Sequence, residues 1–253
     1  MDNSQLYDVM ISDIGCSTYC LNSTPLGEAL DIISRYTRTV EILSDGLHSL
    51  FFNEEVCYSY DLNYAVHAPS GDANIAVENE HIRRASIEVL SELSEICDRI
   101  GARNLVIHPG YMTSHETAAL AKNSMYRSLA DLSVLQQERD VHFTIENMGD
   151  LNLLFFQSPD FLPVLKEYGL RFALDIGHAH LCGNLEAFLK TSTPEHVHLH
   201  DNDRSYDTHS ACGTGTIDFL SLFDALPGDA MEIIEVNSPE KAEASREFLA
   251  SLR

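Results

Sequence analysis

HVHLHDNDRSYDTHSACGTG, residues 196–215, is the stretch from which the rest of the chain is read. Val197 and Leu199 alternate with His196, His198 and His200, so a strand here puts three imidazoles on one face at period two. The strand then breaks into a polar loop carrying Asp207 and His209, and closes on Gly213-Thr214-Gly215. A histidine face that leads into an Asp-x-His loop suits a metal site.

The same rhythm recurs on both sides. Strands read at 11–20, 39–43, 63–67, 104–108, 141–146, 171–175, 196–200 and 231–236. Helices read at 26–35, 48–55, 78–100, 114–137, 159–168, 184–190, 217–226 and 239–252. Thr24 is placed to cap the first helix, with Pro25 in its first turn. Ile82, Ala85, Val89, Leu93 and Ile96 fall at helical spacing, and Gly101 suits the C-terminal cap. Alternating strands and helices imply a parallel sheet, and eight pairs in 253 residues imply an α/β fold of the (β/α)8 TIM-barrel type. With no linker or composition shift in sight, residues 1–253 read as one domain.

The bulk numbers narrow the function. There are 39 acidic against 16 basic residues, a formal charge of −23, which disfavours sequence-independent binding to nucleic acid. No apolar run is long enough for a membrane span, and MDNSQLYD lacks the basic and apolar regions of a signal peptide. The six cysteines are scattered without C-x-x-C pairs, so the expectation is reduced thiols and a cytoplasmic location.

In a barrel of this type the active site lies at the C-terminal ends of the strands. Six of the eight strands end there in a metal-capable group: His67, His108, Glu146, Asp175, His198 and Glu235. Taken singly, each has a plainer explanation, a satisfied polar residue or a turn former. Together they are harder to dismiss, because buried carboxylates need partners and several converging acids repel unless a cation neutralises them. Imidazole and carboxylate without a thiolate pair suits a divalent ion such as Zn or Mn, with Co and Fe as further options. His196 reads as a polar residue one layer deeper in the barrel. His200 and Arg204 are candidate substrate contacts, Arg204 with the alternative of a solvated surface cation. His180 follows the 171–175 strand and reads equally as a chance neighbour. The Gly213-Thr-Gly215 turn reads as a tight turn, or as a phosphate cradle ahead of a helix.

The series VHAP (His67), IHPG (His108), IEN (Glu146), LDIGH (Asp175, His178), HLHD (His198), DTHSACGTG (Asp207, His209) and IIEVN (Glu235) resembles the xylose isomerase-like TIM-barrel superfamily. That superfamily joins sugar isomerases and epimerases to endonuclease IV, the apurinic-site nuclease. The isomerase branch implies one divalent ion held by Glu146, Asp175, His198 and Glu235. The nuclease branch implies three zinc ions. The first would sit on His67, His108 and Glu146, the second on Glu146, Asp175, His198 and Glu235, and the third on His178, Asp207 and His209. In the isomerase or epimerase expectation, Glu146 and Glu235 are the catalytic acid and base acting on a small sugar-like substrate, a sugar or sugar phosphate. The alternative is a three-zinc phosphoester hydrolase. After His67 the chain runs APSGDANIA, without an aromatic or basic wedge for entering a duplex, which weighs against DNA. The family often carries Lys or Asn where this chain has His200. The oligomeric state is not legible.

Overall fold

The computed structural model describes residues 14–252. Eight strands close into a parallel barrel in sequence order, β1 next to β8. They are β1 Gly15–Ser17, β2 Thr39–Leu43, β3 Asn63–His67, β4 Asn104–Ile107, β5 His142–Glu146, β6 Arg171–Asp175, β7 His196–Leu199 and β8 Met231–Ile234. The helices that pack outside are α1 Leu26–Ile33, α2 Leu50–Cys57, α3 Glu80–Ile100, α4 Ala118–Gln136, α5 Leu162–Glu167, α6 Ile176–Leu181, α7 Leu185–Thr191, α8 Phe219–Ala225 and α9 Pro239–Ala250. Strands of such a barrel are covered on one face by helices and on the other by each other. Hence runs such as Leu105-Val106-Ile107 and Phe143-Thr144-Ile145 are wholly buried. No helix among the described residues is long and apolar enough to cross a membrane.

Local chemistry sets the element ends. Asn79 accepts from His81 N to open α3, and Gly101 closes it at φ 69°, a left-handed position that glycine takes without Cβ strain. Ser238 accepts from Lys241 N, with Pro239 in the first turn of α9.

Four expectations need correction. Thr24 does not cap α1: Pro25 is the cap residue, and no side chain bonds there. The first strand is only Gly15–Ser17, because Ser17 Oγ accepts from Tyr19 N and turns the chain into a 3-10 helix, Thr18–Leu21. Residues 11–13 of that expected strand lie outside the described residues. The helix expected over 217–226 starts at Phe219, since Asp218 is its cap and accepts from Ser221 N. An unanticipated helix, α6, follows β6 directly. Its cap is Asp175, whose Oδ1 accepts from His178 N at 2.7 Å.

The side chain that caps α6 therefore also stands at a strand end. This places Asp175 and His178 beside one another, and the Gly177 between them is obligatory. A Cβ there would sit 2.0 Å from Cε1 of the buried His200. Gly177→Ala is expected to displace the His200 ring from Asp175 and to lower Tm by roughly 5–10 °C, in line with overpacking costs in rigid cores. Thermal unfolding measures it; an unchanged Tm would mean that His200 moves aside freely.

Candidate metal centre and its pocket

Register pairs only some of the strand-end residues directly, and the stagger of the closed barrel brings the others to the same rim. Asp175 pairs with His198, Glu146 with Ala173, and His67 with Val106. The result is a polar floor under a cavity of about 590 Å³. Four side chains, Glu146, Asp175, His198 and Glu235, are buried with ligand atoms all within 4.8 Å of one another. His198 Nδ1 lies 3.1 Å from Glu146 Oε1, 3.4 Å from Glu235 Oε2 and 3.7 Å from Asp175 Oδ2. A second group joins through the same glutamate: Glu146 Oε2 is 3.3 Å from His67 Nε2 and 3.2 Å from His108 Nε2. A third contains His178, His200, Asp207 and His209. In it Asp207 Oδ2 meets His178 Nε2 at 3.0 Å and His209 Nε2 at 3.4 Å.

The imidazoles are held in a consistent way. His67 Nδ1 faces the carbonyl of Ala68 at 2.7 Å, His178 Nδ1 that of Asn147 at 3.0 Å, and His209 Nδ1 that of Glu235 at 3.0 Å. A carbonyl only accepts, so each Nδ1 is a donor and each Nε2 is the nitrogen that faces the site, available to an ion once its proton has left. His198 is reversed. Its Nε2 is 3.0 Å from Glu41 Oε2, and its Nδ1 faces the site.

Without an ion the cluster balances itself by protonation. Burial pushes the Glu146 carboxyl up, but His198, His108 and His67 pull it well below the carboxylate range. Asp175 and Asp207 are likewise depressed: burial opposes, and the histidines beside each prevail. Burial lowers His67 and His209, but Glu146 acts on the first and Asp207 and Glu235 on the second, lifting both to about 9. Burial lowers His178 and His198 as well, yet their carboxylate neighbours hold both well above the ordinary value. Three carboxylates gathered in one buried spot, with imidazole donors already oriented and no thiolate, are a fitting donor set for a divalent cation.

Every residue implied as a ligand is thus in the cluster. His200 and Arg204 stand apart from the pocket wall. His200 is fully buried with Nε2 at 2.9 and 3.0 Å from the two oxygens of Asp175. It buttresses the site from behind. Arg204 Nε points to His180 Nε2 at 3.3 Å, and Arg204 borders a separate surface depression with Lys190. The glycine turn is filled from within: Asp201 accepts from the amides of Gly213, Gly215 and Ile217. Those amides are therefore committed, and the tight-turn explanation holds.

Sequence reasoning gave no role to Glu41, Tyr19 or Asn147. Glu41 is fully buried inside β2, and an acid within Thr39-Val40-Glu41-Ile42-Leu43 was the available signal. Tyr19 reaches the pocket only because the 3-10 turn after β1 swings it there, edge-on to His209 with centroids 5.4 Å apart. Asn147 exchanges two hydrogen bonds with the Asp175 backbone and steadies that strand end.

Residues 54–252 match the family described as xylose isomerase-like TIM barrel. Uncharacterized protein MJ1614 of Methanocaldococcus jannaschii is 36% identical over 232 residues, covering 89% of this chain and 92% of that protein. A D-tagatose 3-epimerase-like protein superposes with TM-score 0.85 at 24% identity, covering 94% of this chain and 96% of the other. IolI, in a structure with a bound zinc atom, gives TM-score 0.77 at 17% identity, covering 94% and 97%.

Proposed function

This chain belongs to the xylose isomerase-like TIM-barrel family, and from that premise we propose that it is a divalent-metal-dependent isomerase or epimerase of a small, uncharged ketose-like sugar. The observation that carries this is the pair Glu146 and Glu235. The two carboxylates meet at His198 Nδ1, at 3.1 and 3.4 Å, on the floor of a cavity whose wall has no lysine or arginine among the described residues. The ion would be held by Glu146, Asp175, His198 and Glu235. Bound there, it supplies Lewis-acid polarisation of a carbonyl group.

The chain's own residues do the rest. Glu146, ionised at neutral pH, takes a proton at the carbon beside the carbonyl, and Glu235 is the partner that exchanges one from the other side. Tyr19 remains a neutral phenol, because burial and then Glu235 and Asp207 raise its pKa, so its hydroxyl donates to a sugar oxygen. Tyr111 and Tyr206 at the rim, with Leu151 and Leu154, offer apolar faces to the C–H face of a sugar ring and exclude water. A phosphate would meet Asp150, Asp207 and Glu235 there with no lysine or arginine in the wall to answer it. This argues for free sugars over sugar phosphates.

A second reading, a three-zinc phosphoester hydrolase, is favoured by one observation: the ligand groups of His67/His108 and His178/Asp207/His209 flank the central four. Elemental analysis of protein purified without chelator separates the two, followed by assays on ketoses, their phosphates and phosphodiesters. About one ion per chain with turnover of a free ketose is the expected result. About three zinc ions with phosphodiester cleavage would replace the proposal by the hydrolase. His178→Ala and His209→Ala sharpen the comparison: under the isomerase reading each lowers turnover by about 10-fold, whereas a three-zinc hydrolase would lose roughly 10³-fold or more.

A further inference from the structure

Beneath the ligand floor lies a second layer of buried polar groups. Asn104 of β4, His196 of β7 and Glu41 of β2 are all fully buried inside the barrel. Asn104 Nδ2 is 3.2 Å from His196 Nδ1. His196 Nε2 is 2.9 Å from Glu41 Oε2, off the ideal hydrogen-bond direction. The same oxygen is 3.0 Å from His198 Nε2. The two rings stand nearly perpendicular, at 87°, with centroids 4.9 Å apart, so both reach one carboxylate oxygen from different sides.

The direction of this chain follows from its ends. An amide nitrogen only donates, so His196 Nδ1 is the acceptor and His196 Nε2 carries the proton toward Glu41. Glu41 receives that proton's attraction together with the Nε2–H of His198. With one proton held on Nε2, His198 gives up its second proton from Nδ1 when an ion binds, and Nδ1 is the atom that faces Glu146, Asp175 and Glu235. His67, His178 and His209 are oriented by backbone carbonyls, which are neutral. His198 alone among them is oriented by a carboxylate. A carboxylate behind an imidazole raises its basicity as a ligand as well as fixing its tautomer.

We propose that Glu41 is a positioning residue for the metal centre: it holds His198 as the Nε2–H tautomer and strengthens Nδ1 as a ligand, with His196 and Asn104 aligning Glu41 in turn. This rests on the reading of the site as a metal centre. It assigns a purpose to an acid buried in an apolar strand, a placement that is costly unless the acid is paired. The sharing of Oε2 between two rings also gives the fully buried His196 a partner in this layer.

The test is metal affinity. Apo protein is titrated with Zn²⁺ against a chelating dye, and with Co²⁺ while the visible ligand-field spectrum is followed, for the wild type, Glu41→Gln and Glu41→Ala. Glutamine keeps an acceptor oxygen but loses the charge, so about 10-fold weaker binding is expected; alanine loses both, and about 100-fold is expected. A changed cobalt spectrum in Glu41→Ala should accompany the loss. Folded variants that bind within twofold of wild type, with unchanged spectra, would overturn the assignment to Glu41 and leave the metal centre standing. A wild-type chain that takes up neither ion would overturn the metal reading and this proposal together. Should the variants fail to fold, ¹H–¹⁵N correlation of the imidazoles in zinc-loaded wild type decides: a proton on Nε2 of His198 supports the proposal, and a proton on Nδ1 overturns it.

Discussion

Glu146→Gln is expected to lower turnover by about 10³-fold or more and to weaken the hold on metal at two ligand groups at once. The reason is its position. Oε1 faces His198 Nδ1 at 3.1 Å and His178 Nδ1 at 3.5 Å, while Oε2 faces His67 and His108. Removing the charge takes away the proposed base and one ligand oxygen, and it leaves a poorly basic amide among imidazoles. The residue is only 1% exposed, so water cannot make up the loss. Turnover of the best ketose and metal content per chain, measured on folded protein, check the two parts separately. Turnover within tenfold of wild type would remove Glu146 from the chemistry. Lost turnover with undiminished metal would keep it as the base and not as an essential ligand.

Stripped and metal-loaded protein should respond to pH in opposite ways, and the divergence should be on the order of a few kcal/mol. His67 and His209 sit at about 9 in the folded, metal-free chain, against about 6.5 when unfolded. A raised folded value means stability that is fully present below the unfolded pKa and lost as pH rises through about 9. Glu146 and Asp175 are depressed, so their contribution is present above roughly pH 4 and lost as pH falls. The stripped protein should therefore be most stable at roughly pH 4.5–6.5 and weaken toward pH 9. A bound ion needs the same imidazoles without their protons, so the stabilisation that it supplies grows over that window. Thermal unfolding of both forms from pH 6 to 9.5 is the measurement. Parallel curves would show that these histidines neither carry the excess protons nor bind the ion.

Much of the fold was legible because its periodicity is local. Apolar runs such as Leu105-Val106-Ile107, each followed by a polar residue and a glycine or proline turn, mark strands that are buried on both faces. Helix ends were less legible. Asp218 reads equally well inside a helix or as its cap, and only the bond from Ser221 N decides. The short helix α6 was hidden for a different reason. Ile176-Gly177-His178 contains a glycine, which disfavours helix locally, and the packing of His200 against Gly177 overrides that preference.

The site divides along the same line. The sequence by itself determined the metal-capable residues at the strand ends, since a strand end after an apolar run must reach the barrel rim whatever surrounds it. It also determined that His196 lies deeper than His198, because period two leaves no other arrangement. Which groups meet which was decided only by the closed barrel. Glu41 and His198 are 157 positions apart, and they share a hydrogen bond because closure leaves only β1 and β8 between β2 and β7, with both side chains buried in the interior. The same closure buried His200 behind Asp175 and turned Arg204 outward to His180, although both lie in the loop region nearest the ligands. Side-chain identity and spacing carry information about one strand; distances across a barrel depend on the closure of all eight.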